Sequence, residues 1–248
     1  VAGAALLPGA GAGAGGAGAG GAGAGGGGGA GAGGGGAEGL SDRAVVRVFD
    51  QRTLKPRKRL ASADVESTGF VSVAFSSDSK LLLALSGAPD WRLVCWAWEK
   101  GKAVAVAQMS TEAKVPLYQC SFNPVDLSMC AVSGQGVLRF LRIVDGEFKT
   151  MPVIMGARPA ADYLCHAWMA DAPESVVVGT AAGELLLFSS GELVGSLPGA
   201  PMEGVPVRSL AAHAKGFVCG CGGGRLLLFE RSDEEEEEDE DEDDEFDD

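Results

Sequence analysis

The sequence predicts an all-β fold built from repeated sheets of four short strands. Five segments end in one shared unit, an alternating apolar run that leads to an aromatic residue. Three of them are regular, residues 93–99, 185–189 and 226–230, and two are weaker, residues 45–50 and 137–140. Phe75, Phe122 and Trp168 follow one another at intervals of 47 and 46 residues, and His213 comes 45 residues later. A period in the mid-forties built from short strands is typical of a propeller, in which each blade is one four-stranded sheet.

The first complete repeat is predicted over about residues 70–110. Its four strands are expected at residues 70–75, 81–85, 91–98 and 102–109. The first alternates into a turn of short polar side chains, which can cap their own backbone. The second is a continuous apolar run, as expected of a strand buried on both faces. No segment shows sustained helical periodicity.

Three further copies follow, and two strands precede the first one. The predicted strands are 117–122, 129–132, 137–143 and 148–154 in the second copy, 163–169, 175–179, 184–188 and 193–197 in the third, 207–211, 217–219 and 225–229 in the fourth, and 45–49 and 59–61 ahead of them. About four blades is the lower limit for a closed propeller, and an open arc exposes apolar strand edges. We therefore expect the intact protein to supply further blades on both sides.

The two ends of the sequence have compositions that cannot build a packed core. Residues 9–36 contain only Gly and Ala, which offer no large side chain to bury and lose much backbone entropy on ordering. Residues 233–248 carry fifteen acidic residues in sixteen positions, and their repulsion opposes folding. We divide the sequence into a disordered Gly/Ala-rich segment at 1–42, propeller blades at 43–232 and a disordered acidic tail at 233–248.

The acidic tail accounts for the formal net charge of −14. Without its fifteen acids the chain has 19 acidic against 20 basic residues, so neither nucleic acid nor an anionic membrane is expected as a partner. Six cysteines lie within apolar strand segments, which predicts buried, reduced thiols in an intracellular protein. The first residue is Val, and there is no secretory signal and no apolar stretch long enough to cross a membrane. We expect a piece of a longer intracellular chain.

Nine short segments, taken in order, carry a resemblance to a known family: residues 70–76, 78–80, 86–91, 98–100, 121–124, 164–168, 185–188, 190–193 and 215–217. They resemble the first WD-repeat region of the cilia- and flagella-associated protein 57 family, over about residues 43–232. The resemblance implies a WD40-type β-propeller, incomplete with about four blades. The Gly/Ala tract and the acidic run depart from the family pattern, and we expect them to be loops inserted between blades.

The same resemblance implies a function. Members of the family are long axonemal proteins with amino-terminal propellers and a coiled-coil remainder. The implied role is a non-catalytic scaffold of the ciliary or flagellar axoneme that supports inner dynein arm assembly or attachment and ciliary motility. Its expected partners are inner-arm dynein components and the rest of its own chain. The alternative is a general cytoplasmic WD40 adaptor in ubiquitin ligation or RNA work.

The densest basic cluster consists of Arg52, Lys55, Arg57, Lys58 and Arg59, five cations in eight positions. We take these residues as the candidate partner-binding site, with the acidic tubulin surface of a microtubule as the partner. Binding of this kind weakens steeply with salt. The alternative is a solvated turn and outer strand.

The remaining motifs are interpreted as structural. Cys219-Gly220-Cys221, with His213 and the pair Cys165–His166, lacks the second ligand pair that zinc sites usually show. Glycines 222–224 lack the Lys-Ser/Thr and the helix of a phosphate loop and predict a tight hairpin. The acidic run lacks the ligand spacing of a calcium loop. The aromatic residue near the end of each third strand is expected to pack in the core against the next blade.

No catalytic arrangement is predicted. The two histidines lie near no Ser or Cys nucleophile in an identifiable motif. A propeller enzyme would need carboxylates or histidines where the inner strands start, and these positions hold Phe70, Leu117, Tyr163 and Val207. We expect no catalytic residue, no metal and no cofactor.

Overall fold

The strands pair with their neighbours along the chain in a series of antiparallel sheets. A computed structural model describes residues 43–198 and 204–231, and within these ranges it contains seventeen strands, one 3-10 turn and no α-helix. The hairpin sheet consists of β1 (Val46–Phe49) and β2 (Pro56–Leu60). Blade 1 consists of β3 (Phe70–Phe75), β4 (Leu81–Ser86), β5 (Arg92–Ala97) and β6 (Lys102–Gln108). Blade 2 consists of β7 (Leu117–Phe122), β8 (Met129–Gly134), β9 (Val137–Val144) and β10 (Glu147–Met151).

The last two sheets repeat this arrangement. Blade 3 consists of β11 (Tyr163–Trp168), β12 (Ser175–Thr180), β13 (Leu185–Ser189) and β14 (Glu192–Ser196). Blade 4 has three strands in the described residues, β15 (Val207–His213), β16 (Gly216–Cys221) and β17 (Arg225–Glu230). Tight turns hold each meander together. Asp145 and Gly146, both at positive φ, form the two-residue connection between β9 and β10, as a primed hairpin turn requires.

The core lies between the sheets, because every complete blade buries both of its faces. On blade 1, Leu82, Val94 and Trp96 pack with the hairpin sheet, whereas Leu83 and Leu93 pack with blade 2. Two more clusters join blade 2 to blade 3 and blade 3 to blade 4. Burying a side chain of this size contributes about 1.5–3 kcal/mol. The five sheets therefore form a continuous stack along the chain.

Polar bridges join the inner strands of successive blades at the sequence period. The backbone N–H of Cys120 donates to Ser72 Oγ at 3.0 Å, across 48 residues. The side-chain amide of Gln119 donates to the carbonyl of His166 and accepts from its N–H, both at 3.0 Å and across 47 residues. Each bridge satisfies backbone groups that the sheet leaves unpaired at its inner edge. The repeat seen in the sequence is thus a repeat of inter-blade contacts.

The all-β prediction with about four propeller blades is confirmed. The four predicted inner-strand starts, Phe70, Leu117, Tyr163 and Val207, are the first residues of β3, β7, β11 and β15, and all four are buried. All six cysteines are buried and free. The predicted disordered segments, residues 1–42 and 233–248, lie outside the described residues. No helix in the described ranges is long and apolar enough to cross a membrane.

Three details of the predicted fold were wrong. The second strand is Pro56–Leu60 and not 59–61, because backbone pairing with β1 holds it although its side chains are mostly polar. The strand predicted at 148–154 ends at Met151, followed by a single bridge at Ile154. The third-strand aromatics do not all face the next blade: Phe188 packs in the cluster shared with the preceding blade 2. Side-chain alternation shows which residues share a face but not which neighbour that face meets.

Candidate functional site

All five candidate cations lie on the β1–β2 hairpin. Arg52 and Lys55 are exposed in the turn, and Arg57, Lys58 and Arg59 are consecutive in β2. Because side chains alternate across a strand, Arg57 and Arg59 are exposed on one face and Lys58 lies on the other. The structure therefore presents four of the five cations to solvent and separates Lys58 from them.

Lys58 positions the hairpin instead of offering a free charge. Its Nζ donates to the carbonyl of Glu99 at 2.9 Å, in the turn that connects β5 and β6 of blade 1. This hydrogen bond joins the hairpin sheet to its neighbour beside the apolar contacts described above. We therefore separate Lys58 from the candidate binding residues.

Arg47 joins the exposed cations, although we did not predict it from the sequence. It lies in β1 directly opposite Arg59 and is exposed, in a strand whose side chains alternate between buried and exposed. The alternation of Val46, Arg47, Val48 was the signal that places Arg47 on the outer face. We define the basic face as Arg47, Arg52, Lys55, Arg57 and Arg59. Like charges opposite each other are destabilising, so an anionic partner would relieve the repulsion between Arg47 and Arg59.

The positive charge of the described chain is concentrated on this hairpin. Residues 43–60 contain seven basic residues and one acidic residue, Asp50, which is a net charge of +6. The other described residues contain 13 basic against 15 acidic residues, which is a net charge of −2. Within the described residues, the net positive charge therefore lies on the hairpin, although the total charge is small.

Asp50 organises the turn that displays these cations. Its Oδ1 accepts hydrogen bonds from the backbone N–H of Thr53 at 2.8 Å, from the Thr53 hydroxyl at 2.9 Å and from the backbone N–H of Arg52 at 3.2 Å. Its Oδ2 accepts from Arg57 Nη1 at 3.2 Å. These bonds, those from Thr53 first, hold the pKa of the Asp50 carboxyl below its usual value. The turn is thus built around a carboxylate that stays ionised at neutral pH.

An open groove runs between this turn and blade 1. Its volume is about 750 Å³, and Arg52 and Arg57 line it together with Phe49, Trp98 and Glu99. Phe49 is more than a third exposed, whereas the Trp98 ring is almost fully buried. The groove is lined by two guanidinium groups and by two carboxylates, those of Asp50 and Glu99, so its charged lining is balanced.

The buried histidine belongs to a polar network between blades 2 and 3. The two ring nitrogens of His166 lie 2.9 Å from Ser133 Oγ and 2.8 Å from Ser121 Oγ, and the Trp168 indole N–H donates to Ser121 Oγ at 3.0 Å. Burial lowers the pKa of His166 to about 4. The ring is therefore neutral at physiological pH and joins the two blades through hydrogen bonds.

The cysteine motif packs in the core between blades 3 and 4. Cys219 and Cys221 lie on one face of β16 in the cluster that also contains Cys165, as their spacing predicted. Burial raises the pKa of the Cys165 thiol to about 12. Across residues 43–198 and 204–231, no group of three or more His, Cys, Asp or Glu side chains is arranged to hold a metal ion.

Comparison with known proteins identifies relatives of the chain. No family model matches it. Cilia- and flagella-associated protein 57 of Mus musculus is 31% identical over 80% of this chain and 19% of that protein. Cilia- and flagella-associated protein 43 of Chlamydomonas reinhardtii is 28% identical over 59% of this chain and 11% of that protein. Cilia- and flagella-associated protein 57 A of Tetrahymena thermophila is 26% identical over 71% of this chain and 14% of that protein. The chain thus spans less than a fifth of the length of these relatives.

Solved structures share the fold at low sequence identity. The β-propeller domain of Cps50 (Swd1) from Myceliophteria thermophila has a TM-score of 0.57 and 16% identity, over 72% of this chain and 56% of that one. The computationally designed Ika4 protein has a TM-score of 0.53 and 14% identity, over 70% of this chain and 97% of that one. At these identities the comparison concerns the fold alone.

Proposed function

The chain is a homologue of cilia- and flagella-associated protein 57, and from this premise we propose that it is a non-catalytic WD-repeat scaffold of the ciliary or flagellar axoneme. The observation that supports this most is the 31% identity over 80% of the chain, combined with a stack of sheets whose inward-facing side chains are committed to packing. Such a stack leaves its loops, edges and outer faces for partners, as propellers do.

A more specific role for the intact protein concerns the inner dynein arms. We propose that the intact protein helps to assemble or attach them, on the basis of the family resemblance in residues 43–232. The test is to localise the tagged full-length protein and to measure the inner-arm dynein content of axonemes that lack it. Axonemal localisation and loss of inner-arm dyneins are expected. A uniformly cytoplasmic protein would instead favour a general WD40 adaptor.

We further propose that the basic face binds an acidic protein surface, with tubulin as the partner. Exposed ion pairs each contribute about 0.2–1 kcal/mol, so five together give about 1–5 kcal/mol and at least a roughly fivefold effect on affinity. Salt screens such contacts, because the Debye length falls to about 3 Å at 1 M. Affinity for microtubules should therefore decrease strongly between low and high salt.

A matched pair of variants tests this binding. Replacing the five residues of the basic face by Ser should reduce cosedimentation with microtubules at low salt at least about fivefold. The control replaces five exposed cations elsewhere by Ser: Lys80, Lys114, Lys149, Arg208 and Arg225. This control removes the same net charge, so equal loss in both variants would indicate non-specific attraction. Equal pelleting of the basic-face variant and the unmodified chain would exclude the basic face as the site.

A further inference from the structure

We propose that residues 233–248 of this chain occupy its own basic face and compete there with an external acidic partner. The inference rests on the binding function proposed above for that face and adds its regulation. This acidic segment, the acidic run, follows β17 of blade 4 in the sequence.

The acidic run and the hairpin have opposite charges within one polypeptide. The acidic run carries fifteen carboxylates in sixteen positions, and residues 43–60 carry a net +6 while the rest of the described chain carries −2. At physiological ionic strength the Debye length is about 8 Å, so a run of this charge gains most where cations lie closest together. The hairpin is that place.

Most cations of the basic face form no ion pair within the described residues. Seven ion pairs lie within the described residues, and only one of them, Arg57 with Asp50 at 3.2 Å, involves the basic face. By contrast, Arg142, Arg158 and Arg231 on the blades pair with Asp126, Glu184 and Asp171. The described arginines without an ion pair include three that lie on the basic face, Arg47, Arg52 and Arg59, and three that are spread over blades 2 and 4, Arg139, Arg208 and Arg225.

The acidic run is long enough to extend from blade 4 to the basic face. Packed sheets lie about 10 Å apart, so the four steps from blade 4 to the hairpin sheet amount to roughly 40 Å along the stack, and a straight path across a curved stack is shorter. A fully extended run of sixteen residues spans at most about 55 Å. Bridging 40 Å takes about twelve fully extended residues, so the last acidic residues of the run can reach the basic face while the preceding ones bridge the gap.

A tethered run of this kind acts as a competitor at an effective concentration of about millimolar. With a Kd of a few hundred micromolar for the basic face, it would weaken binding of an external partner by roughly three- to tenfold. Exchanging half of the run's Glu and Asp residues for Gln and Asn keeps its length and removes most of the competition. The affinity of the full chain for microtubules at low salt should then rise by this factor.

Zero-length carbodiimide cross-linking tests the contact without any microtubule. Lys55 lies on the basic face and supplies an amine, and exposed Lys114 on the loop between blades 1 and 2 serves as the internal control. In an equal mixture of isotopically light and heavy full chains, mass spectrometry should find links between Lys55 and residues 233–248 of the same chain. Their yield should exceed that at Lys114 and fall at least about fivefold in 0.5 M salt.

A variant that keeps the amine completes the test. Changing Arg47, Arg52, Arg57 and Arg59 to Ser leaves Lys55 in place and should abolish its excess yield. Links at Lys55 that are no more frequent than at Lys114, or of which about half join a light to a heavy copy as random linking between chains gives, would overturn the inference even if microtubules bind. If same-chain links form but the protein does not bind microtubules, the contact between the acidic run and the basic face is established and the proposed binding function is refuted.

Discussion

Acid should destabilise this fold through one buried histidine. His166 is 1% exposed, between two serine hydroxyls of blade 2, and burial lowers its pKa from 6.5 to about 4. Between these values the unfolded chain binds a proton that the folded chain does not bind. The free energy of unfolding therefore falls as the pH is lowered through this window, and the contribution of neutral His166 is fully present above pH 6.5.

The size of the effect follows from the same two values. For each proton that the unfolded chain binds and the folded chain does not, the free energy of unfolding changes by about 1.4 kcal/mol per pH unit. From pH 7 to pH 5 the loss is about 2 kcal/mol, and it approaches about 3 kcal/mol near pH 4. A typical domain has 5–15 kcal/mol of stability, so the loss is a substantial share of the total.

Urea unfolding of the full chain at pH 7, 6 and 5, followed by tryptophan fluorescence, measures this loss. Measuring only at pH 5 and above limits the contribution of ordinary carboxylates to the pH dependence, because they titrate at about pH 4. His166→Gln should lower stability at pH 7 and remove the pH dependence, whereas His213→Gln, at the only other histidine, should retain it. A loss of similar size in His166→Gln, or none in the unmodified chain, would refute the argument.

Three further predictions concern the contacts between blades. Gly179→Ala places a Cβ 2.3 Å from Val207 Cγ1 and should cost about 1–3 kcal/mol by urea unfolding, whereas Gly195→Ala meets nothing within 4 Å and should change stability by less than about 0.5 kcal/mol. Phe188→Ala, at a fully buried ring, should cost about 3–5 kcal/mol, and a cost below 1 kcal/mol would contradict its place in the core. Burial raises the pKa of Cys120 to about 12, so iodoacetamide at pH 8 should label it only after denaturation, and rapid labelling of the native chain would contradict this.

Strand positions could be predicted from the sequence wherever packing imposed a pattern. Phe70, Leu117, Tyr163 and Val207 each start an inner strand, and each is buried at a corresponding place in its blade. The same contacts recur once per blade, so the period of the sequence reports them directly. The bounds of β2 could not be predicted in this way, because a mostly exposed, cationic strand is held by backbone pairing that leaves no apolar pattern.

The candidate site was predicted only in part, for a related reason. A run of cations in β2 is visible in the sequence, but alternation sends Lys58 to the opposite face, where it bonds to Glu99. Arg47 lies twelve positions before Arg59 and becomes its neighbour only through strand pairing. Contacts across a hairpin depend on register, and register was not available before the length of the turn was known.

Packing and charge are separated in this molecule, and that separation determines where its specificity lies. The inter-blade clusters use the same residue types from blade to blade, so they define a stack without distinguishing one partner from another. The hairpin differs, since seven of the chain's twenty basic residues fall within residues 43–60. A surface that recognises one partner must differ from the repeated surfaces around it, and in the described residues the strongest difference in charge is on this hairpin. If the chain is a scaffold, changes to its apolar clusters should reduce stability with little direct effect on binding. Changes to the basic face should reduce binding with little effect on stability.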